Sequence, residues 1–329
     1  MIALAGGIAF WLTVATRLHA DDGQWLRGSL HDKPTPIWGH AEGLQIGHAP
    51  PGGPRGLLRV YAPYLDQPEQ HVINFIAVEP IPQGSDRRGL SELEFSKLDG
   101  VRGKRFWSAN TPDDATPRES APVEGFIENK DGKEQLCVYI LVEPFDNGAH
   151  VYLKLTFWED RPHEVGIAAF AREDSVPLDH CIVTATMGNY ARLRRLHLAE
   201  RIAVAGELWP AYQGQGFADH AKFPLAELKR DPAGQAIASA ETDEADLTAA
   251  IYTFGTSQHW KYQGKQARQS WISEQPDPRL EVWVNGRYTY WASLSMIPGG
   301  ISFENFEMVS PFRQGEEFIF RVEPQQAAK

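Results

Sequence analysis

The sequence predicts an all-β protein: a large antiparallel β-sandwich, jelly-roll or extended in type, with few short helices. Three observations predict it. Short apolar runs rich in Val, Ile, Phe, Tyr and Trp recur from Leu44 to Val322, several with the period-two alternation of a half-buried strand. Gly, Pro, Asn and Asp punctuate them, as in Asp146-Asn147-Gly148 and Asn285-Gly286. Sustained helical periodicity is scarce, and no repeat of fixed period suggests a propeller.

The elements follow in order. Leu44–Gly47 and Leu57–Tyr61 read as short strands on either side of a Pro/Gly loop. Val72–Glu79 is a longer strand closed by Pro80. Ser91–Phe95 reads as a short extended piece, and residues 108–122, with three prolines and paired Asp, as an exposed loop. Leu136–Glu143, Val151–Trp158 and Glu164–Phe170 are joined by short turns and predict a meander, which the Cys181 strand continues. Pro224–Lys229 reads as a short helix. Ala233–Ala250 is rich in Ala, Glu and Asp, and reads as solvent-facing; residues 207–250 form a helical or loop excursion from one domain spanning 21–329. Leu280–Val284 and Arg287–Trp291 predict a hairpin about Asn285-Gly286, before strands at Ile301–Val309 and Glu317–Val322.

Bulk composition bounds the partners. Hydrophobic residues are 42% of 329, enough for a substantial core. With 32 basic and 43 acidic side chains the net charge is −11, which disfavours nucleic acid and anionic lipid as partners. A local basic cleft can still meet an anionic ligand. Residues 1–20 carry an apolar run ending in His19-Ala20 before Asp21-Asp22 and read as an export signal, placing the mature chain outside the cell or in the periplasm, with no membrane contact beyond that signal. In such a compartment Cys137 and Cys181 either bridge or remain two buried thiols. No metal-ligand spacing, nucleotide fingerprint or phosphate loop occurs, so no metal or cofactor is expected.

Four groups of residues could carry chemistry. The first is the basic, aromatic strip after Cys181, with Tyr190, Arg192, Arg194, Arg195 and His197. In extended chain Tyr190, Arg192 and Arg194 share one face, and Arg195 and His197 the other. Leu193 and Leu196 have opposite parity, which predicts a bulge or a turn between them. Such a strip suits β-elimination from a uronate: Tyr190 or His197 exchanges protons, and Arg192 or Arg194 grips the carboxylate. The bland alternative is arginines paired with surface carboxylates. The second group is Glu79, Glu92 and Glu94, carboxylates of the kind glycoside hydrolysis uses, with Glu92 and Glu94 about 7 Å apart on one strand face. The third is Tyr212, His220 and Lys222, a proton-transfer and cation set in a loop-like region. The fourth is Asn285–Trp291, which offers either the Tyr288 and Tyr290 pair on one face or Arg287 with Trp291 on the other as a platform for a sugar ring.

The strip, the export signal and the sandwich pattern resemble those of secreted bacterial polysaccharide-degrading proteins, the β-sheet-rich polysaccharide lyases above all. Asn74–Pro80, Ala185–Tyr190 and Ser302–Glu307 look like signature stretches. The resemblance is one of class and assigns no catalytic residue. It implies a secreted carbohydrate-active enzyme that degrades an acidic, uronate-containing polysaccharide or oligosaccharide by β-elimination. The alternatives are a glycoside hydrolase using the paired Glu residues and a non-catalytic carbohydrate-binding protein.

Overall fold

The computed structural model describes residues 24–28, 36–48, 54–67, 71–114, 121–186, 188, 190–243, 264–290 and 294–325. Within them the strands are, in chain order, β1 (Trp25–Leu26), β2 (Ile37–His40), β3 (Gln45–His48), β4 (Leu57–Tyr61), β5 (Val72–Pro82), β6 (Phe106–Ala109), β7 (Phe126–Lys130), β8 (Lys133–Val142), β9 (Val151–Trp158) and β10 (Glu164–Ala171). They continue as β11 (Leu178–Thr186), β12 (Leu193–His197), β13 (Ile202–Val204), β14 (Ala221–Pro224), β15 (Lys229–Arg230), β16 (Ala236–Thr242), β17 (Ala267–Ser273), β18 (Glu281–Arg287), β19 (Ser302–Val309) and β20 (Glu317–Pro324). One four-residue helix, α1 (Ala205–Leu208), and two 3-10 turns, at Pro63–Leu65 and Leu225–Glu227, are the helical elements among the described residues.

Two antiparallel sheets pack face to face, as the alternating runs require. One has nine strands in the order β1-β2-β3-β4-β5-β11-β19-β18-β14; the other has eleven, β13-β12-β16-β17-β20-β10-β9-β8-β6, with β15 on β16 and β7 on β8. Strand alternation sends every second side chain between the sheets. From the nine-stranded sheet come Ile76, Val78, Val183, Ala185, Phe306 and Met308; from the other come Leu153, Leu155, Val165, Ile167, Phe320 and Val322, all in one continuous core. The Trp271 indole donates across the gap to the Phe306 carbonyl at 2.8 Å.

The meander β8-β9-β10 forms as its turns dictate. The Cys181 strand does not continue it: β11 crosses to the nine-stranded sheet and pairs with β5 and β19. This separates the cysteines, since Cys137 lies on β8 and Cys181 on β11, and both are buried free thiols. Asn285-Gly286 is not a hairpin turn. It runs on within β18, where the register against β19 shifts between Val284 and Gly286. A Cβ at Gly286 would sit 2.9 Å from the Trp209 ring and 3.0 Å from Ile301, so this strand position needs glycine for close approach rather than for turning. The Ala-rich stretch is not wholly solvent-facing either. Ala236–Thr242 is an interior strand between β12 and β17, with Ala236, Ala238 and Ala240 fully buried; their small side chains fill a narrow part of the core. Ser91–Phe95 is a turn, not an extended piece. The bulge expected near Leu193 is present: the β12–β16 register shifts between Leu193 and Arg195.

Candidate functional site

The outer face of the nine-stranded sheet should be wet and polar. It is polar but largely covered, because the loops between strands fold over it. Residues 83–105, between β5 and β6, carry Arg88, Ser91 and Glu92 onto this face. The loop is pinned there: the Ser91 hydroxyl donates to Gly56 O at 2.6 Å and accepts from Val78 N at 2.9 Å. Gly56 has φ of 72°, and a Cβ there would lie 1.9 Å from Ser91 O, so no other residue fits.

Under that loop, register brings together side chains far apart in sequence. Thr184 on β11 stands opposite Glu307 on β19, which stands opposite Trp283 on β18, which stands opposite Lys222 on β14. Glu79 on β5 lies two residues along from Ala77, the partner of Thr184, and shares its face. Arg88 joins the row. Its Nη2 donates to both oxygens of Glu307, at 2.7 and 2.8 Å, and its Nε pairs with Glu79. Burial alone would lower the Arg88 pKa, but Glu307 and Glu79 outweigh it and hold the guanidinium charged. The Glu79 carboxyl is driven well above the usual range by burial, with Glu92 and Glu307 adding to the effect against Arg88. Burial pushes Glu92 up to about 7, opposed by its own backbone N–H, Arg88 and Arg102.

At the open end of this row sits His220. Its Nε2 is 3.6 Å from Glu307 Oε1 and 3.4 Å from Asn285 Nδ2. Asn305 N–H donates to Asn285 Oδ1 at 3.1 Å, which turns the amide nitrogen toward the imidazole. Nε2 thus faces two buried groups, and Nδ1 is the ring nitrogen left for a ligand. Burial lowers the His220 pKa; Glu307 and Asp219 raise it less than burial, Arg88 and Lys222 together lower it. The ring is thus neutral at neutral pH. Its side chain is 28% exposed, whereas Glu307 is wholly buried, so His220 is the group a ligand meets. Beside it stands Trp283, with ring centroids 5.7 Å apart, and Lys222 Nζ lies 3.7 Å from the Trp283 ring centroid.

The residues singled out from sequence divide accordingly. His220, Lys222, Glu79 and Glu92 come together here. Glu94 does not: it is tied to Lys104 at 3.1 Å and to the backbone N–H groups of Leu90 and Asp146, as a loop anchor. Arg287 lies on the same outer face, donating to Thr289 O and Gln215 O. Tyr212 packs against the core edge near Trp209. Trp291 lies outside the described residues.

The basic strip is dispersed, and Tyr190, Arg192 and Arg194 do not line one strand face as expected. Tyr190 and Arg192 fall in the turn before β12, where Arg192 has a left-handed φ of 48°, and alternation does not apply to them. Tyr190 is buried in a small apolar cluster with Phe75, Ala77 and Tyr290, its ring 5.3 Å from that of Tyr290. Arg194 is buried and spends its donors on the carbonyls of Ile301, Pro298 and Gly300, with Asp243 at 3.1 Å. His197 and Arg195 face Glu241 on the eleven-stranded sheet, His197 at 2.7 Å. Tyr190 and His197 therefore do not share a site.

Sequence reasoning missed Arg88, Asn285 as a side-chain ligand, Trp283, Glu304 and Glu307. One signal was available: Ser302–Glu307 carries two Glu among strand residues, and the register shift puts both on the outer face.

No family model matches the chain, and no curated protein matches it. A solved structure titled "Crystal Structure Analysis of HI1317" is similar at 10% identity over 92% of this chain and 98% of that one, with a TM-score of 0.23. At that score the likeness carries no argument.

Proposed function

We propose that the protein is an exported carbohydrate-active enzyme that cleaves an acidic, uronate-containing polysaccharide or oligosaccharide by β-elimination at His220. The observation that carries this reading is the partly exposed neutral imidazole, backed by Glu307 and flanked by Lys222 and Trp283. In the Nε2–H tautomer, with that N–H toward the Glu307 carboxylate, Nδ1 takes the proton from the carbon next to the uronate carboxylate. The C–H electron pair forms the new C=C bond as the glycosidic C–O bond breaks. Protonated His220, facing the Glu307 carboxylate, returns the proton to the leaving oxygen. Lys222, held over the Trp283 ring, offsets the charge that builds on the substrate carboxylate. Glu79 and Glu307 are enclosed and bound by Arg88, so they support the imidazole rather than reach a scissile bond.

A hydrolytic reading has one observation in its favour: Glu92, pushed up to about 7, is poised as a proton donor. The readouts separate the two. Elimination gives an unsaturated uronyl end that absorbs in the near ultraviolet, whereas hydrolysis gives reducing ends without it. Incubation with a panel of uronate polymers tests both, and a panel that yields neither product contradicts both.

A further inference from the structure

Near the end of β8, the loop between β5 and β6 turns back on itself as a small hairpin, residues 95–102. Phe95 pairs with Arg102 in an isolated antiparallel bridge, and Ser96 N donates to Val101 O at 2.8 Å. The hairpin carries three large apolar side chains into solvent: Phe95 is 62% exposed, Leu98 55% and Val101 54%. Single apolar residues scattered over a surface need no explanation, but three on one turn do. The turn is tightly built. Glu143, just after β8, accepts from Lys97 N, Ser96 Oγ from Leu98 N at 3.1 Å, Asp99 Oδ1 from Val101 N at 3.0 Å and Ser96 O from Gly100 N at 2.9 Å. Arg55 clamps it from outside, donating to both oxygens of Asp99, at 2.6 and 2.9 Å, and to Val101 O. We propose that this tip is a membrane-docking element, which inserts Phe95, Leu98 and Val101 into the interface of an anionic phospholipid bilayer.

Three observations select lipid. The tip is apolar on both sides: Phe95 stands opposite Arg102, and Val101, the residue before Arg102, points to the other side. A flat partner or a sugar ring covers one side, whereas a lipid surface surrounds both. The amides of Ser96, Lys97, Leu98, Gly100 and Val101 are satisfied within the turn or by Glu143, so they can leave water, as entry into the interface requires. The charge is complementary. Lys97 and Arg102 flank the apolar side chains as exposed cations, and the one carboxylate of the hairpin, Asp99, is neutralised by Arg55. Asp146 lies 3.6 Å from Lys97 but is shared with Lys104. The chain as a whole carries −11, which led to the opposite expectation. At physiological salt, however, exposed charges more than about 8 Å away are largely screened, so the cations of the tip act locally. The docking does not depend on the elimination at His220.

The test measures affinity and location separately. The unlabelled full chain is co-sedimented with vesicles of mixed phosphatidylglycerol and phosphatidylcholine, and with phosphatidylcholine alone. The wild type is expected to bind the anionic vesicles more tightly, and the more so at low salt. Phe95→Ser should weaken that binding about ten-fold, the transfer of one large apolar side chain. The double change Lys97→Gln and Arg102→Gln should weaken it at least as much and flatten the salt dependence. These side chains are exposed, so the variants keep their fold, which denaturation curves verify. For location, an environment-sensitive fluorophore is attached at Leu98→Cys; Cys137 and Cys181 are buried, so the label goes to the tip. A control carries it at Lys130→Cys, beyond the far end of β8 and about 30 Å away. The label at 98 should shift to the blue on anionic vesicles, and the label at 130 should not. No binding to anionic vesicles, unchanged affinity in both variants, or equal shifts at the two positions overturns the proposal. A shift at 98 with a uronate polymer but not with vesicles overturns it in favour of a substrate contact.

Discussion

Replacing Glu304 by Gln isolates the energetics of the covered sheet face. The carboxyl is wholly buried, and its pKa stands at about 8 against an ordinary 4.5. The sign follows from proton counting. Between those two values the folded chain holds a proton that the unfolded chain has released, so stability falls as pH rises from 4.5 and stops falling above about 8. At about 1.4 kcal/mol for each pH unit, the ceiling on that loss is about 5 kcal/mol. The introduced amide is neutral throughout and nearly isosteric with the carboxyl. Urea denaturation of both proteins from about pH 4.5 to 9 is the assay. The two free energies should be similar at the acid end, and the variant should gain steadily on the wild type up to about pH 8. Glu92 and Glu79 titrate with the same sign and are present in both proteins, so subtraction leaves Glu304 together with its coupling to Glu92. Parallel stability profiles would refute the reasoning, because they would mean the carboxyl ionises as if in water.

Three further outcomes are expected. Arg194→Met should cost about 3 kcal/mol in thermal or urea denaturation, because three carbonyls of residues 298–301 lose a charged donor; an Arg194 that grips substrate would instead spare stability and weaken binding. Gly286→Ala should destabilise by about 1–3 kcal/mol, since the added methyl meets the Trp209 ring and Ile301 inside a packed core, and a neutral result would show that β18 does not approach them so closely. Thiol titration of the denatured, unreduced protein should find two free cysteines, because Cys181 faces the core between the sheets while Cys137 faces Glu128 on the other side of β8; a value of zero would contradict that placement.

The sandwich was legible because its cause is local. Alternation and turn chemistry act within about ten residues, and β8, β9 and β10 formed where Asp146-Asn147-Gly148 and Asp160-Arg161-Pro162 placed their turns. What failed was non-local. Nothing within β11 says that it leaves the meander, since a β-branched run pairs equally well with either sheet. Ala236–Thr242 lacked the bulky residues that mark a strand, and only its neighbours β12 and β17 make small side chains fit. Asn285-Gly286 carries a turn signal that packing overrode: Gly286 is small for Trp209, not for chain reversal. The site was half legible for the same reason. His220, Lys222, Glu79 and Glu92 were chosen by residue type, but Arg88 and Glu307 meet across 219 residues of chain. The basic strip misled because composition was read as surface, while the core needed Tyr190 and the backbone carbonyls of residues 298–301 needed Arg194.

The central claim is that His220, not Tyr190, removes the proton. It is tested by following the ultraviolet absorbance of the unsaturated product on a uronate polymer with wild type, His220→Gln and Tyr190→Phe across about pH 5 to 9. The account predicts that the wild-type rate falls on acidification through the lowered His220 pKa, below 6.5. His220→Gln should lose at least about a hundred-fold in rate, on the order of what a general base contributes, and Tyr190→Phe should keep its turnover while folded. Full activity in His220→Gln, or loss confined to Tyr190→Phe, would contradict it.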